Sequence, residues 1–243
     1  MKRLVISLLT VAMFAAASIS AMGDTITYDG SLASPGFYNG TGNPNSGFTI
    51  DTNGNLELGL GANLRFVGPI DPSPTNSNIY SAPIGGDPSH SNDAYWDFEF
   101  SVNTQAGGGT NTLSDYTFML TILDVGTSTS NSFDPEAIPD NSYYGTGGKT
   151  VGSPPPVGAY GMQNAENLSF AGFLPGFNPN ANDTYDFTLT AYSGVDLIAS
   201  NEIIVNVGTG AVPEPSQLGF LAVGLLGIAT MGWRRKKEAA RTT

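Results

Sequence analysis

In several segments between residues 24 and 211 apolar side chains recur at every second position, and no segment there shows a convincing helical period. Trp96, Phe98, Phe100 and Val102 share one face of a strand, while Tyr95, Asp97, Glu99 and Ser101 share the other. Tyr116, Phe118, Leu120 and Ile122 alternate with Thr117, Met119 and Thr121, and Tyr185, Phe187, Leu189 and Ala191 with Asp186, Thr188, Thr190 and Tyr192. Leu56, Leu58 and Leu60 are followed by Leu64 and Phe66, and Ile203, Val205 and Val207 close the region. Side chains leave a pleated strand on alternate faces, so this pattern buries one face of each strand against a second sheet. Ser193-Gly194, between two such runs, reads as a hairpin turn. Charged residues make up only 12%, so the strong helix formers Lys, Glu and Arg are scarce. The prediction is an all-β fold, an antiparallel β-sandwich or jelly roll with long Pro/Gly/Asn-rich loops.

Two stretches interrupt the alternation. Gly68–Asn92 contains Pro69, Pro72, Pro74, Pro83 and Pro88, and Gly126–Gly158 contains Pro135, Pro139 and Pro154-Pro155-Pro156. Both read as structureless loops, a length class that is usually functional or disordered, and at one rim of a sandwich they would form the natural binding site. Asn43-Pro44-Asn45 and Asn178-Pro179-Asn180 read as turn initiators.

The two ends have a different character. Lys2-Arg3, an apolar run from Leu4 to Ala17 and a small-residue stretch from Ser18 to Gly23 make the three-part layout of a secretory signal peptide. Cleavage fits after Ala21 or after Gly23, and the run is shorter than the ~20 residues of a spanning helix. At the other end, Pro213, Glu214 and Pro215 precede an uncharged apolar run, Leu218–Trp233, and then Arg234, Arg235, Lys236 and Lys237. As a helix that run reaches about 24 Å, with Trp233 at the interface and the basic cluster held in the cytoplasm. The expected organisation is 1–23 signal peptide, 24–211 secreted β-sandwich domain, 212–237 a tail with a transmembrane helix and basic cluster, and 238–243 cytoplasmic end.

The tail resembles the PEP-CTERM sorting signal of Gram-negative bacteria, through Pro213-Glu214-Pro215, the stretch Leu218–Trp233 and the cluster Arg234–Lys237. The resemblance implies recognition and removal of the tail by an exosortase, an integral-membrane Cys protease-transpeptidase. It also implies a transient inner-membrane intermediate, final placement at the cell surface or in the extracellular matrix, and a link to exopolysaccharide and biofilm.

Composition removes whole classes of chemistry from the middle of the chain. With no Cys there are no disulfides, thiolate metal sites or thiol nucleophiles, and a single His, His90, excludes multi-His metal centres. Residues 24–211 hold 2 basic and 19 acidic residues, a formal charge of −17. Phosphate backbones require Lys and Arg, so nucleic acid is not an expected partner. His90 has no suitably placed Ser and acid, and no Gly-x-Ser-x-Gly elbow occurs; it reads as a solvent-exposed loop residue. Asp97 and Glu99 are spaced for paired-carboxylate glycoside chemistry, yet nothing in the sequence marks either as desolvated, and they read as an acidic outer strand face. Oxygen-rich runs offer candidate calcium ligands: Asn178, Asn180, Asn182, Asp183 and on to Asp186, or Asp134, Glu136, Asp140 and Asn141. Tyr143, Tyr144 and Tyr160 lie in the loops, where their rings can stack on sugar faces. The expectation is a secreted, non-enzymatic envelope or matrix protein; the alternatives are a lectin-like carbohydrate-binding module and a secreted glycan-active hydrolase.

Overall fold

The computed structural model describes residues 24–40, 43–87, 90–170 and 172–208, leaving aside the side chains of His90 and Ser91. Among the described residues there is no α-helix, only two single-turn 3-10 segments, Leu113–Asp115 and Pro135–Ala137. The strands are β1 Thr25–Gly30, β2 Phe48–Asn53, β3 Leu56–Leu64, β4 Gly68–Pro69, β5 Ile79–Ala82, β6 Gly86–Asp87, β7 His90–Ala94, β8 Trp96–Asn103, β9 Thr117–Asp124, β10 Thr129–Phe133, β11 Ser142–Gly145, β12 Gly148–Val151, β13 Gly161–Glu166, β14 Asp183–Ser193 and β15 Asp196–Val207. They form a long sheet in the order β1-β2-β3-β8-β13-β11-β12, with β4 beside β3, and a second sheet in the order β10-β9-β14-β15-β5. A short β6-β7 ribbon stands apart. Pairing is antiparallel except between β15 and β5, which run parallel.

The alternating segments form the core of a β-sandwich as predicted. Trp96, Phe98, Phe100 and Val102 on β8 are buried beside Leu56, Leu58, Leu60 and Ala62 on β3. Across the gap stand Phe118, Leu120 and Ile122 of β9, Tyr185, Phe187 and Leu189 of β14, and Ile203 and Val205 of β15. The ring of Phe98 lies 5.0 Å from that of Phe187, and Trp96 meets Tyr185 at 5.9 Å. Polar bonds join the sheets along one side: the Asn201 amide donates to the Thr49 and Leu58 carbonyls, and the Asn53 amide to the Ile198 carbonyl. The predicted hairpin joins β14 to β15, with Gly194 at φ +63°, a conformation that only glycine adopts without strain.

The structure corrects three expectations. The Pro-rich stretches are not structureless: Gly68–Asn92 contributes β4, β5, β6 and most of β7, and Gly126–Gly158 contributes β10, β11 and β12. These strands are short, and β10 and β12 lie at sheet edges, so backbone pairing forms them without an apolar alternation. Phe66 does not continue the core face of β3; it sits in the β3–β4 turn and is 89% exposed.

The third correction concerns the second face of β8. It is not a solvated acidic face, since Glu99, Ser101 and Asn103 are all buried. The connection between β1 and β2 crosses this outer face of the long sheet as a strap. Leu32 and Phe37 from the strap pack on Phe48 and Ile50 of β2. The Ala33 N–H donates to the Glu57 carboxylate, the Gln163 amide to the Gly36 carbonyl, the Asn103 amide to the Ser34 carbonyl, and the Tyr38 N–H to Gln163. A Cβ on Gly59 would come within 2.5 Å of a Leu32 methyl, so the strap lies where a side chain would otherwise stand.

A candidate binding pocket over Glu99

Past Asn43 and Pro44 of the strap, the outer face of the long sheet opens into a pocket of about 340 Å³. Its lining combines Asn63 and Leu64 of β3, Glu99 of β8, the turn residues Phe66 and Val67, and Gly68 and Pro69 of β4. Antiparallel register sets Asn63 opposite Asp97 and Gly61 opposite Glu99 on one face. At Gly61 a Cβ would stand 3.2 Å from the Phe48 ring and 3.5 Å from Glu99 Oε2, so the missing side chain lets Phe48 pack close beside the Glu99 carboxyl.

Glu99 is 3% exposed, and its Oε1 accepts from the Asn63 amide at 2.6 Å. Burial pushes its carboxyl up to about 7, the Asp97 charge adds to the rise, and the Asn63 hydrogen bond opposes it. Asp97, one pleat away, is raised to about 6 by burial against the lowering effects of the Asn167 amide and Arg65. The expected solvated acid pair is thus a desolvated one, and its members have different surroundings: only Glu99 lines the pocket.

Arg65 organises the wall behind. Its guanidinium lies 3.0 Å from Asp93, 3.5 Å from Asp87 and 3.6 Å from Asp97, and it covers the rings of Phe66 at 5.4 Å and Phe170 at 5.7 Å. This fixes the turn in which Phe66 holds φ +60°, a strained setting for a bulky residue. Phe66 and Val67, 67% exposed, therefore stand as an apolar rim at the mouth of a polar-floored pocket.

The other candidates fall in scattered places. Tyr143 is buried in the core, its hydroxyl donating to the Glu136 carbonyl and accepting from the Asn141 amide, so its ring presents no face to solvent. Tyr144 and Tyr160 are half-buried and pack together at 5.6 Å, with Tyr38 of the strap 5.3 Å from Tyr144. Asn178 Oδ1 accepts from the Asn180 N–H, which makes a turn. The Asp183 carboxylate accepts from the Gly126 and Thr184 N–H groups, and Asp186 lies on β14. Asp134 caps its 3-10 turn through the Glu136 N–H, while Asp140 and Asn141 accept from the Asn164 amide. Among the described residues no three His, Asp or Glu side chains gather as a metal site. His90 has its backbone in β7 rather than in a loop.

Sequence reasoning missed Phe66, Asn63 and Arg65 as site residues and weighed Glu99 only as part of a solvated pair. A signal was present in Glu57-Leu58-Gly59-Leu60-Gly61-Ala62-Asn63: a strand that is apolar on one face and bears Glu, Gly, Gly and Asn on the other expects something to lie close against that second face.

The expected signal peptide, residues 1–23, and the tail residues Pro213, Glu214, Pro215, Trp233, Arg234, Arg235, Lys236 and Lys237 lie outside the described residues, among which no helix is long and apolar enough to cross a membrane. Neither the curated proteins nor the solved structures compared with the chain gave a match. A family model did: residues 211–236 match the PEP-CTERM protein-sorting motif, so the chain carries the signal of an exosortase-sorted, extracellular protein.

Proposed function

We propose that the exported β-sandwich is a non-enzymatic matrix component that binds exopolysaccharide of the biofilm through the pocket over Glu99. The observation that carries this reading is the strained, exposed Phe66 at the mouth of a pocket floored by Asn63 and Glu99. Saccharides present apolar C–H faces, which stack on aromatic rings, and hydroxyls, which bond buried amides and carboxyls. An aromatic rim over a polar floor answers both, and backbone strain held at an exposed aromatic is a recurrent mark of a binding site. The lone carboxyl supports binding without turnover. Glycoside hydrolysis uses two carboxyls facing one bond, and Asp97 is instead engaged by Asn167 and Arg65. The sorting motif supplies the setting, with exosortase as the processing partner and the inner membrane as the intermediate station. Calcium has no role in this reading.

Co-sedimentation of the full chain, in detergent micelles, with polysaccharide extracted from the producing cells' matrix tests it. Retention of the wild-type chain and loss of retention in Phe66→Ala are expected. Equal retention of both would remove the pocket from the reading, and shortening of the polysaccharide by the wild-type chain would remove its non-enzymatic part.

A further inference from the structure

We propose that the pocket over Glu99 receives a primary ammonium group, so that the polysaccharide it holds carries free amino sugars; this names the sugar class and rests on the polysaccharide reading above. Glu99 is a buried acid whose hydrogen-bond partner is the neutral Asn63 amide, and no cation pairs with it among the described residues. The two basic residues of the described region are committed elsewhere. Arg65 stands among Asp87, Asp93 and Asp97, and Lys149 donates to the Tyr38 carbonyl at 2.7 Å. A buried carboxyl in this position stays neutral or acquires a counter-charge. A ligand ammonium brings that charge together with three donors, which Glu99 and the side-chain oxygens of Asn43 and Asn63 can accept.

The long-range field selects in the same direction. The formal charge of −17 over residues 24–211 repels uronates, sulfates and phosphates and attracts cations. Arg65 covers one side of the Phe66 ring, and the ring's high exposure leaves the rest to a sugar face. The groups that bear on Glu99 are few. Asp97 on its own strand disfavours ionisation and Asn63 on β3 favours it, while burial, with the Glu99 charge adding to it, keeps Tyr80 on β5 neutral. The strap brings Asn43 and Pro44, β4 brings Gly68 and Pro69, and β13 sets Ala165 opposite, none of them charged. With its carboxyl raised to about 7, Glu99 is largely protonated in the empty pocket below that value, and an arriving ammonium expels the proton to solvent.

Calorimetric titration of the full chain in detergent micelles, in two buffers of different ionisation heat, tests this with three probes: a glucosamine oligomer, its N-acetylated counterpart and a uronate oligomer. The glucosamine oligomer is expected to bind with proton release, its affinity rising about tenfold between about pH 5 and about pH 7, while the uronate does not bind. Glu99→Gln, the neutral isostere, is expected to weaken that binding about tenfold or more and to abolish proton release. The proton count on the wild-type chain needs no variant, so the test stands even if Glu99→Gln folds poorly. Proton uptake at about pH 5, where the sugar amine is already fully protonated, or uronate binding, overturns the proposal. Binding of the N-acetylated oligomer alone, weakened by Phe66→Ala, overturns the ammonium assignment and leaves the polysaccharide reading standing. Failure of all three probes, with the extracted matrix polysaccharide also unbound, overturns both.

Discussion

Both faces of β8 are largely removed from water, by different means. On one, Trp96, Phe98, Phe100 and Val102 meet the second sheet through rings and methyl groups. On the other, Ser101 and Asn103 lie under a strap whose backbone is fastened by Glu57, Asn103 and Gln163, and Glu99 is buried where the strap ends. Alternation along a strand thus reports the chemistry of each face rather than its exposure. The apolar face is closed by area, which carries no titrating group. The polar face is closed by hydrogen bonds, and a buried polar layer costs stability wherever a partner is missing. It is on this second face, where the strap ends, that a pocket remains.

The largest difference between the faces should appear on truncation. Phe98→Ala leaves a cavity between the sheets and should cost ~3–5 kcal/mol in urea unfolding; a loss no greater than that from Ser101→Ala would erase the contrast. Next comes the strap. Gly59→Ala places a methyl group against Leu32 and Ser101 and should cost about 1–3 kcal/mol by overpacking. Amide exchange should show the strap's N–H groups at Ala33 and Tyr38 losing protection, while β14 keeps its own.

The pH response should be of similar size, and it draws on buried acids of both faces. In the unfolded chain Asp and Glu titrate near 4, whereas burial raises Asp97 to about 6 and Glu99 to about 7 when folded. The stabilisation linked to their protonation is complete below the unfolded value and is lost as pH rises through the folded ones. Burial also raises Glu166 and Asp51, so they act in the same direction. The midpoint of thermal unfolding should therefore fall from about pH 5 to about pH 8, by the equivalent of about 2–3 kcal/mol for Glu99 alone. Glu99→Gln should flatten the slope; a midpoint rising with pH over that range would contradict the assigned burial. The smallest expected effect is at the rim. Phe66→Gly relieves a positive φ and removes an exposed ring, so stability should change by less than ~1 kcal/mol while polysaccharide retention is lost.

Much of the sandwich was legible because its central strands bury one apolar face each. Trp96–Asn103, Thr117–Asp124, Asp183–Ser193 and the Gly194 turn all stand where the period-2 pattern put them. The edge and ribbon strands were not legible, because β10, Thr-Ser-Asn-Ser-Phe, and β12, Gly-Lys-Thr-Val, bury little and owe their form to a neighbour's backbone. The parallel β15–β5 pair was also hidden, since it joins segments far apart in the chain. Phe66 misled for a local reason: it follows Leu64 in register, but the chain turns at Arg65, which is drawn toward three aspartates from β6, β7 and β8.

What the linear order of residues determined by itself is the chain's export and sorting tail and its all-β class. A Pro-Glu-Pro peptide, an apolar run and a basic cluster act as a contiguous signal, and strand alternation is a nearest-neighbour property. The pocket was decided only by tertiary structure. Glu99, Asn63, Phe66 and Asn43 come from a strand, its neighbour, a turn and a strap. Glu99 acquires its raised pKa because folding removes its water, a cost that depends on what covers the side chain and not on the residues beside it in the chain.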